Sequence, residues 1–178
     1  GGGTVDNVTH ARAAIQNEPG GNVVLNGGAY TRSKENGQNA EASGGNSYYN
    51  IVNHGTMEIN SGVSVTQKGQ FSSMIENGWY NGSQNTGKEN SVLTINGGTS
   101  NGVILNGYID GTMDQGKLTI NGGTFNAGEK TVITTIGGGT HSGDIEITGG
   151  TLNGSIVLTD SSEGARLTIT QKAKVTGN

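Results

Sequence analysis

The feature of this chain that restricts its fold most strongly is a short repeat in which alternating apolar residues lead into a polar turn. Six copies occur, and the first residues of successive copies lie 22 to 36 residues apart. The apolar triplets of the copies are Val23-Val24-Leu25, Met57-Glu58-Ile59, Leu93-Thr94-Ile95, Leu118-Thr119-Ile120, Ile145-Glu146-Ile147 and Leu167-Thr168-Ile169. Repetition at this spacing is typical of stacked-repeat proteins, in which each repeat covers the apolar face of its neighbour. The sequence therefore predicts one solenoid domain of about six repeats over residues 23–178.

The triplets also predict which side chains are buried. Side chains alternate along a strand, so the first and third residues of each triplet point to one side and the middle residue to the other. The first and third residues are apolar in every copy, and burying each contributes about 1.5–3 kcal/mol. They are predicted to form two inward columns, while the middle residues, mostly Thr and Glu, face solvent.

The turns after the triplets carry a second regularity. The next residue is Asn in the first four copies, at Asn26, Asn60, Asn96 and Asn121, and Thr in the last two. A recurring Asn at a turn predicts a ladder of side-chain amides from one copy to the next, with Gly at the left-handed corner. The copies align without gaps through this turn. A second short strand and a third apolar segment follow, such as Thr124-Phe125 and Thr131-Val132-Ile133, so each repeat is predicted to have three sides.

The first residues differ from the repeats. Residues 1–3 are interpreted as a linker or cloning remnant, and residues 4–22 as an N-terminal cap. Within the cap, apolar residues at helical spacing predict a short helix over 7–17 that ends at Pro19. A capping helix would seal the exposed end of the first repeat.

Composition excludes several classes of function. The chain has no Cys, which excludes thiol catalysis and Cys-ligated metal sites. A net charge of −4 with scattered Lys and Arg argues against nucleic-acid binding. No apolar run is long enough to insert into a membrane, and no signal peptide is recognisable. We expect the chain to be a piece of a larger extracellular protein, monomeric as a domain.

The cap, the segment Gly20-Gly21-Asn22-Val23-Val24-Leu25 and the Leu-Thr-Ile-Asn-Gly-Gly-Thr repeats together resemble the right-handed parallel β-helix of pectate-lyase-like proteins. The resemblance covers residues 4–178 and is closest to non-catalytic segments of Gram-positive bacterial surface adhesins. It implies an all-β, single-stranded β-solenoid, located outside the cell and attached to the cell wall through other parts of the parent protein. A leucine-rich repeat is less suitable because its multi-Leu consensus is missing.

Insertions between repeats are where a solenoid carries its specificity. The last two copies lie 22 residues apart, so longer spacings indicate insertions, which are residues 31–50, 77–91 and 106–117. The order of the strands predicts that the second and third insertions occupy the same corner of neighbouring repeats. The predicted ligand-binding residues are Trp79, Tyr80, Glu89, Tyr108, Asp110 and Asp114. Aromatic faces stack on sugar rings while carboxylates accept hydrogen bonds from hydroxyls, so a glycan is the predicted ligand.

The sequence predicts a non-enzymatic adhesin region that recognises host or dietary glycans or glycoproteins, without a cofactor or metal. Asp110 and Asp114 lack the further spaced acids of a calcium loop, and His54 is interpreted as a polar turn residue. Two alternatives remain open: a polysaccharide lyase or hydrolase of the pectate-lyase-like type, and a structural stalk without a ligand. In the stalk, Trp79 and Tyr80 would fold back to cover the edge of the solenoid.

Overall fold

The computed structural model describes residues 2–7, 13–32, 50–67, 73–78, 91–106, 116–135, 144–158 and 166–177. These residues contain 15 β-strands and no helix, so the fold is all-β. The strands are Thr4–Asn7 (β1), Ile15–Asn17 (β2), Asn22–Arg32 (β3), Ile51–Asn53 (β4), Thr56–Gln67 (β5), Ser73–Asn77 (β6), Val92–Ile95 (β7), Thr99–Ser100 (β8), Val103–Asn106 (β9), Lys117–Ile120 (β10), Thr124–Thr135 (β11), Ile145–Ile147 (β12), Thr151–Val157 (β13), Leu167–Ile169 (β14) and Lys174–Thr176 (β15). All pairings between them are parallel.

The strands stack in three ladders, and the longest strands take part in two of them. Ladder A consists of the first parts of β3 and β5 followed by β7, β10, β12 and β14. Ladder B consists of β1, the second parts of β3 and β5, β8, the first parts of β11 and β13, and β15. Ladder C consists of β2, β4, β6, β9 and the second parts of β11 and β13. After β1 and β2 the chain passes repeatedly through ladders A, B and C in this order.

Ladder A confirms the two predicted apolar columns. Its register pairs Met57 with Leu93, and Leu93 with Leu118, and the third residues of the triplets pair in the same way. The column members inside the stack are buried, whereas Val24, a middle residue, is 51% exposed. Ladder C adds a column of buried isoleucines, which includes Ile51, Ile75 and Ile104. The core thus lies between the ladders.

The predicted asparagine ladder at the turn between ladders A and B is also confirmed. The side-chain amide of Asn60 donates to Asn26 Oδ1 at 2.9 Å, that of Asn96 to Asn60 at 3.0 Å, and that of Asn121 to Asn96 at 2.8 Å. Thr148 continues the row by donating its hydroxyl to Asn121 Oδ1 at 2.7 Å. These side chains lie at the surface, so we call this row the outer asparagine ladder.

The predicted helix over 7–17 is contradicted at both of its ends. Asn7 ends strand β1, and Ile15–Asn17 form β2, which pairs with β4; residues 8–12 lie outside the described residues. Ile15 packs against the core and Asn17 is buried. Tertiary pairing therefore overrides the helical spacing of the apolar residues in this segment.

The turn of the second copy contains one residue more than the gap-free alignment predicts. Ser64, and not Val63, pairs with both Ala29 and Thr99. The extra residue places the Val63 side chain in the core, where it is 2% exposed. Burial of this apolar side chain accounts for the shift.

One polar residue interrupts the apolar column of ladder B. Ser100 lies between Val65 and Phe125 in the register, and its buried hydroxyl has no hydrogen-bond partner among the described residues. It borders a cavity of about 10 Å³ that is lined mainly by Ile59, Ile75, Ile95 and Phe125. Ser100 is therefore a weak point of the core.

Replacing Ser100 by Ala is expected to raise the free energy of unfolding by about 1 kcal/mol, because an unpaired hydroxyl leaves the core. Urea unfolding would measure the change. Thr99→Ala, on the exposed side of the same strand, is the matched control and should change stability by less than about 0.5 kcal/mol. A loss of stability in Ser100→Ala would mean that the hydroxyl is satisfied in solution.

Candidate functional site

The six predicted ligand-binding residues, Trp79, Tyr80, Glu89, Tyr108, Asp110 and Asp114, lie outside the described residues. The structure does define where the two segments that contain them join the sheet. Segment 79–90 connects β6 to β7, and segment 107–115 connects β9 to β10. Asn77 pairs with Asn106 on the departing side, and Val92 pairs with Lys117 on the returning side. Both segments therefore leave ladder C and return to ladder A at neighbouring positions, which we call the C–A corner.

A second row of asparagines, which the sequence analysis did not identify, forms this corner. The amide of Asn17 donates to Asn53 Oδ1, Asn53 to Asn77 and Asn77 to Asn106, each at 2.8 Å. Asn106 donates to the carbonyl of Gly116 at 2.6 Å. All four side chains are buried, and we call them the inner asparagine ladder.

The inner asparagine ladder also ties ladder C to ladder A. Each of three asparagines donates a second hydrogen bond to a carbonyl at the start of a ladder A strand: Asn17 to Thr56 at 3.0 Å, Asn53 to Val92 at 3.1 Å and Asn77 to Lys117 at 3.0 Å. Buried amides are costly unless their hydrogen bonds are made. The corner is therefore held by a fully connected polar network among these residues.

A sequence signal for the inner asparagine ladder exists. Four strands share the pattern Ile-x-Asn, in Ile15-Gln16-Asn17, Ile51-Val52-Asn53, Ile75-Glu76-Asn77 and Ile104-Leu105-Asn106. The Ile enters the core and the Asn enters the amide row, while the middle residue points to the other side of ladder C. Aligning these four strands would have predicted the row.

A histidine and a glutamate lie beside the inner asparagine ladder. His54 directly follows β4, and Glu76 is the middle residue of the Ile75-Glu76-Asn77 triplet in β6. His54 Nε2 lies 3.5 Å from Glu76 Oε2, and the side chains are only 7% and 2% exposed. Val52, the register partner of Glu76, is also buried, whereas Gln16 and Val157 at the ends of ladder C are exposed. The pair is thus a buried site at the base of the C–A corner.

The electrostatics of the pair follow from this burial. Loss of solvation raises the pKa of Glu76, and the nearby His54 lowers it by less through a hydrogen bond and charge. Glu76 Oε1 has no hydrogen-bond partner among the described residues. His54 was expected to be a polar turn residue; it does lie at a turn, but it is buried against a carboxyl group. A pair enclosed in this way has no open face for a substrate, so its geometry suits a structural role.

Replacing Glu76 by Gln is expected to remove a pH-dependent loss of stability. A carboxyl group with a raised pKa in the folded state contributes stability that is fully present below its unfolded pKa of about 4.3 and is lost as pH rises through the folded pKa. Wild type and Glu76→Gln should be similarly stable near pH 4, and the variant should become increasingly more stable toward pH 7. Urea unfolding across this range measures the difference.

Glu146→Gln serves as the control for this experiment, because Glu146 is exposed on ladder A, and it should leave the profile close to wild type. Equal pH profiles for Glu76→Gln and wild type would contradict the raised pKa of Glu76.

Two further polar features of the described residues lie at the surface. Arg166 forms an exposed ion pair with Asp144, and a shallow groove is lined by Asn121, Thr148, Thr170, Gln171 and Lys172. In the described ranges, no three His, Asp or Glu side chains come together as metal ligands. No helix long and apolar enough to cross a membrane occurs in the part of the chain that the structure describes.

No model of a known protein family, no curated protein and no solved structure matches the chain. Its function must therefore be inferred from its residues and from where the structure places them.

Proposed function

We propose that the three ladders wind as a right-handed parallel β-helix of about six turns. The repeated order A, B, C supports this fold, since each passage brings the chain back to ladder A one strand further along. Connections between parallel strands of one sheet are right-handed in nearly all proteins. The short spacing between β12 and β14 leaves room for little besides three strands and their turns.

We propose further that this domain is the non-enzymatic, glycan-binding region of a bacterial cell-surface adhesin. The observation that carries the proposal is the pairing of the attachment points at the C–A corner, Asn77 with Asn106 and Val92 with Lys117. The segments that begin and end there contain Trp79, Tyr80 and Tyr108. Two insertions that are attached at neighbouring positions of the sheet can contribute to one binding surface.

The chemistry of these segments suits sugars. Trp and Tyr offer flat apolar faces to the C–H side of a sugar ring, and their polar atoms remain available for hydrogen bonds. Glu89, Asp110 and Asp114 provide acceptors for hydroxyl groups. A few polar groups among aromatic side chains are the usual composition of a small-molecule site.

The inner asparagine ladder supplies a physical reason for placing a site here. Asn77 and Asn106 anchor the starts of both segments, and each is held by buried hydrogen bonds. Rigid anchoring lowers the conformational entropy lost when a ligand binds. A loop surface on this base would therefore be partly preorganised.

A stalk without a ligand is the second candidate, and a specific observation favours it. Hydrogen-bonded side-chain rows run along two corners and connect successive strands over most of the stack. Such rows are suited to a stiff spacer. The pectate-lyase-like enzyme gains no comparable support, because the His54–Glu76 pair is buried.

A glycan array with the soluble domain tests the proposal. Wild type should bind a defined set of glycans. The double variant Trp79→Ala/Tyr80→Ala should lose about tenfold in affinity, since each of the two aromatic rings contributes about 0.5–1.5 kcal/mol by stacking and about 1.4 kcal/mol corresponds to a factor of ten. The matched control is Tyr48→Ala/Tyr49→Ala, which removes two aromatic residues from the segment between ladders B and C and should bind as wild type does.

The outcomes separate the candidates. Equal loss in both double variants would contradict a site at the C–A corner. No binding by folded wild type would favour the stalk. Release of shortened or unsaturated oligosaccharides from a polyuronate would favour the lyase or hydrolase.

A further inference from the structure

Both asparagine ladders contain Asn-Gly pairs, a sequence that can modify itself without an enzyme. The outer asparagine ladder contains Asn26-Gly27, Asn96-Gly97 and Asn121-Gly122, and the inner one contains Asn77-Gly78 and Asn106-Gly107. Glycine has no Cβ, so its backbone nitrogen can closely approach the side-chain amide of the preceding asparagine. The hydrogen bonds and the burial of the two groups then decide whether they react.

The fold protects the pair Asn77-Gly78 in the inner asparagine ladder. The side chain of Asn77 is fully buried, and its amide donates hydrogen bonds to Asn106 and to Lys117. The N–H of Gly78 donates to the carbonyl of Asn53 at 3.0 Å. Reaction between the two groups would therefore have to break buried hydrogen bonds first, which is costly.

The pair Asn121-Gly122 in the outer asparagine ladder lacks this protection. Asn121 is exposed, and its amide donates to Asn96 Oδ1. Gly122 is half-buried, and none of the hydrogen bonds among the described residues uses its N–H. Thr148 donates its hydroxyl to Asn121 Oδ1 at 2.7 Å, which suits the negative charge that this oxygen gains when Cγ is attacked. The nitrogen and the amide that would react are therefore both accessible.

The other two pairs of the outer asparagine ladder are held more firmly. Gly27 lies within the paired part of β3, and Gly97 is buried. The amide of Asn96 donates two hydrogen bonds, each at 3.0 Å. Of the asparagines in the two ladders, Asn121 is therefore the one whose surroundings oppose reaction least.

We propose that Asn121 is a site of spontaneous deamidation. The nitrogen of Gly122 loses its proton to water or hydroxide and attacks Cγ of Asn121, and the new N–Cγ bond closes a succinimide ring. The Cγ–Nδ2 bond breaks, and Nδ2 takes a proton from water and leaves as ammonia. Water then adds to one of the ring carbonyls and breaks its bond to nitrogen, which gives aspartate or isoaspartate. Water is the only co-reactant, and nothing is oxidised or reduced.

This modification breaks the outer asparagine ladder. A carboxylate cannot donate to Asn96, and isoaspartate also adds a carbon atom to the backbone of the turn. The neighbouring turns leave little room for it. A Cβ on Gly122 would lie 2.8 Å from the carbonyl oxygen of Asn96, and one on Gly149 would lie 2.5 Å from that of Asn121. Successive turns should therefore separate at this point as the protein ages.

Incubation of the whole chain at mildly alkaline pH, followed by digestion and mass spectrometry, tests the site. Aspartate and isoaspartate at position 121 should accumulate at least about tenfold faster than products at Asn77, where ring closure must first break buried hydrogen bonds. Asn60 belongs to the same ladder but is followed by Ser61, and it should also react more slowly than Asn121. Isoaspartate identifies the succinimide, because direct hydrolysis of the amide does not form it.

The same incubation in urea separates the effect of the fold from that of the sequence. In the unfolded chain Asn77 and Asn121 both precede glycine and have lost their hydrogen-bond partners. They should then react at similar rates. A tenfold difference that persisted in urea would assign the selectivity to the flanking sequence and would contradict the proposed role of the ladders.

The variant Asn121→Thr tests the consequence of the modification. Threonine occupies the same position of the row at Thr148 and Thr170, and it cannot form a succinimide. After incubation the wild type should unfold at a lower urea concentration than before, whereas Asn121→Thr should keep its midpoint.

The proposal would be overturned if Asn121 stayed unmodified, if Asn77 reacted as fast in the folded chain, or if wild type and Asn121→Thr lost stability equally on incubation. The first two results are obtained with wild type alone, so they do not depend on the folding of a variant. None of these results depends on glycan binding.

Discussion

Replacing Asn77 by Ala is expected to lower the free energy of unfolding by about 3–5 kcal/mol. Asn77 donates to Asn106 Oδ1 and to the carbonyl of Lys117, and it accepts from Asn53. Loss of its amide breaks three hydrogen bonds and leaves buried groups on its neighbours without partners. An unpaired buried polar group costs about 1–3 kcal/mol, which is more than the net gain from a typical hydrogen bond.

The outer asparagine ladder offers a matched control. Asn96 also donates one hydrogen bond to an asparagine, Asn60, and accepts one from another, Asn121. It is exposed, however, so water can replace the partners that Asn96→Ala removes. This variant should lose no more than about 1 kcal/mol.

Urea unfolding of both variants, followed by circular dichroism, measures the difference between the two ladders. A domain of this size has a total stability of about 5–15 kcal/mol, so Asn77→Ala should unfold at a clearly lower urea concentration. Similar losses for Asn77→Ala and Asn96→Ala would show that burial does not set the strength of these rows.

Glycan binding extends the test of the inner asparagine ladder. Under the proposed function, Asn77 anchors one of the two segments that carry the site. Asn77→Ala should therefore weaken glycan binding at temperatures where the variant is still folded, whereas Asn96→Ala should not.

Ladder A was the most predictable part of the fold. The first and third residues of its triplets are apolar in every copy, so the sequence alone was sufficient to place Leu93, Ile95 and their equivalents in the core. The outer asparagine ladder was predictable for the same reason, because each Asn directly follows a triplet. Because each Asn lies at a fixed distance from its triplet, aligning the triplets also aligns the asparagines of successive copies.

The inner asparagine ladder was missed because no fixed distance links its members to the triplets. Its Ile-x-Asn triplets begin at residues 15, 51, 75 and 104, and insertions of different lengths separate them. Glu76 was missed with them, since its burial depends on what surrounds the outer side of ladder C and not on local pattern. Sequence periodicity predicts which side of a strand a residue occupies but does not predict how that side is covered.

The cap was predicted from the spacing of apolar residues, whereas the candidate site was predicted from strand order and composition. The apolar residues in 7–17 do have helical spacing, but Ile15–Asn17 form a strand because they pair with β4. The common corner of the two aromatic insertions followed correctly from strand order, as the pairing of their attachment points shows. The glycan and the residues that contact it remain predictions from composition.

Replacing Gly98 by Ala is expected to cost about 3–5 kcal/mol, for two reasons that a second glycine separates. Gly98 has a φ of +91°, which an L-residue adopts at a cost of about 1–2 kcal/mol. In addition, a Cβ at this position would lie 2.5 Å from the carbonyl oxygen of Val63 in the neighbouring turn. Because that oxygen belongs to the backbone, the turn must shift or the two ladder strands must separate.

Gly20 isolates the first of these costs. Its φ is +78°, but a Cβ there would meet no atom within 4 Å. Gly20→Ala should therefore lose about 1–2 kcal/mol, the cost of the backbone conformation alone, and the excess in Gly98→Ala measures the close contact between successive turns. Urea midpoints of the two variants and wild type provide both values. If Gly98→Ala lost no more stability than Gly20→Ala, successive turns would be packed less closely at this corner than the ladder register requires.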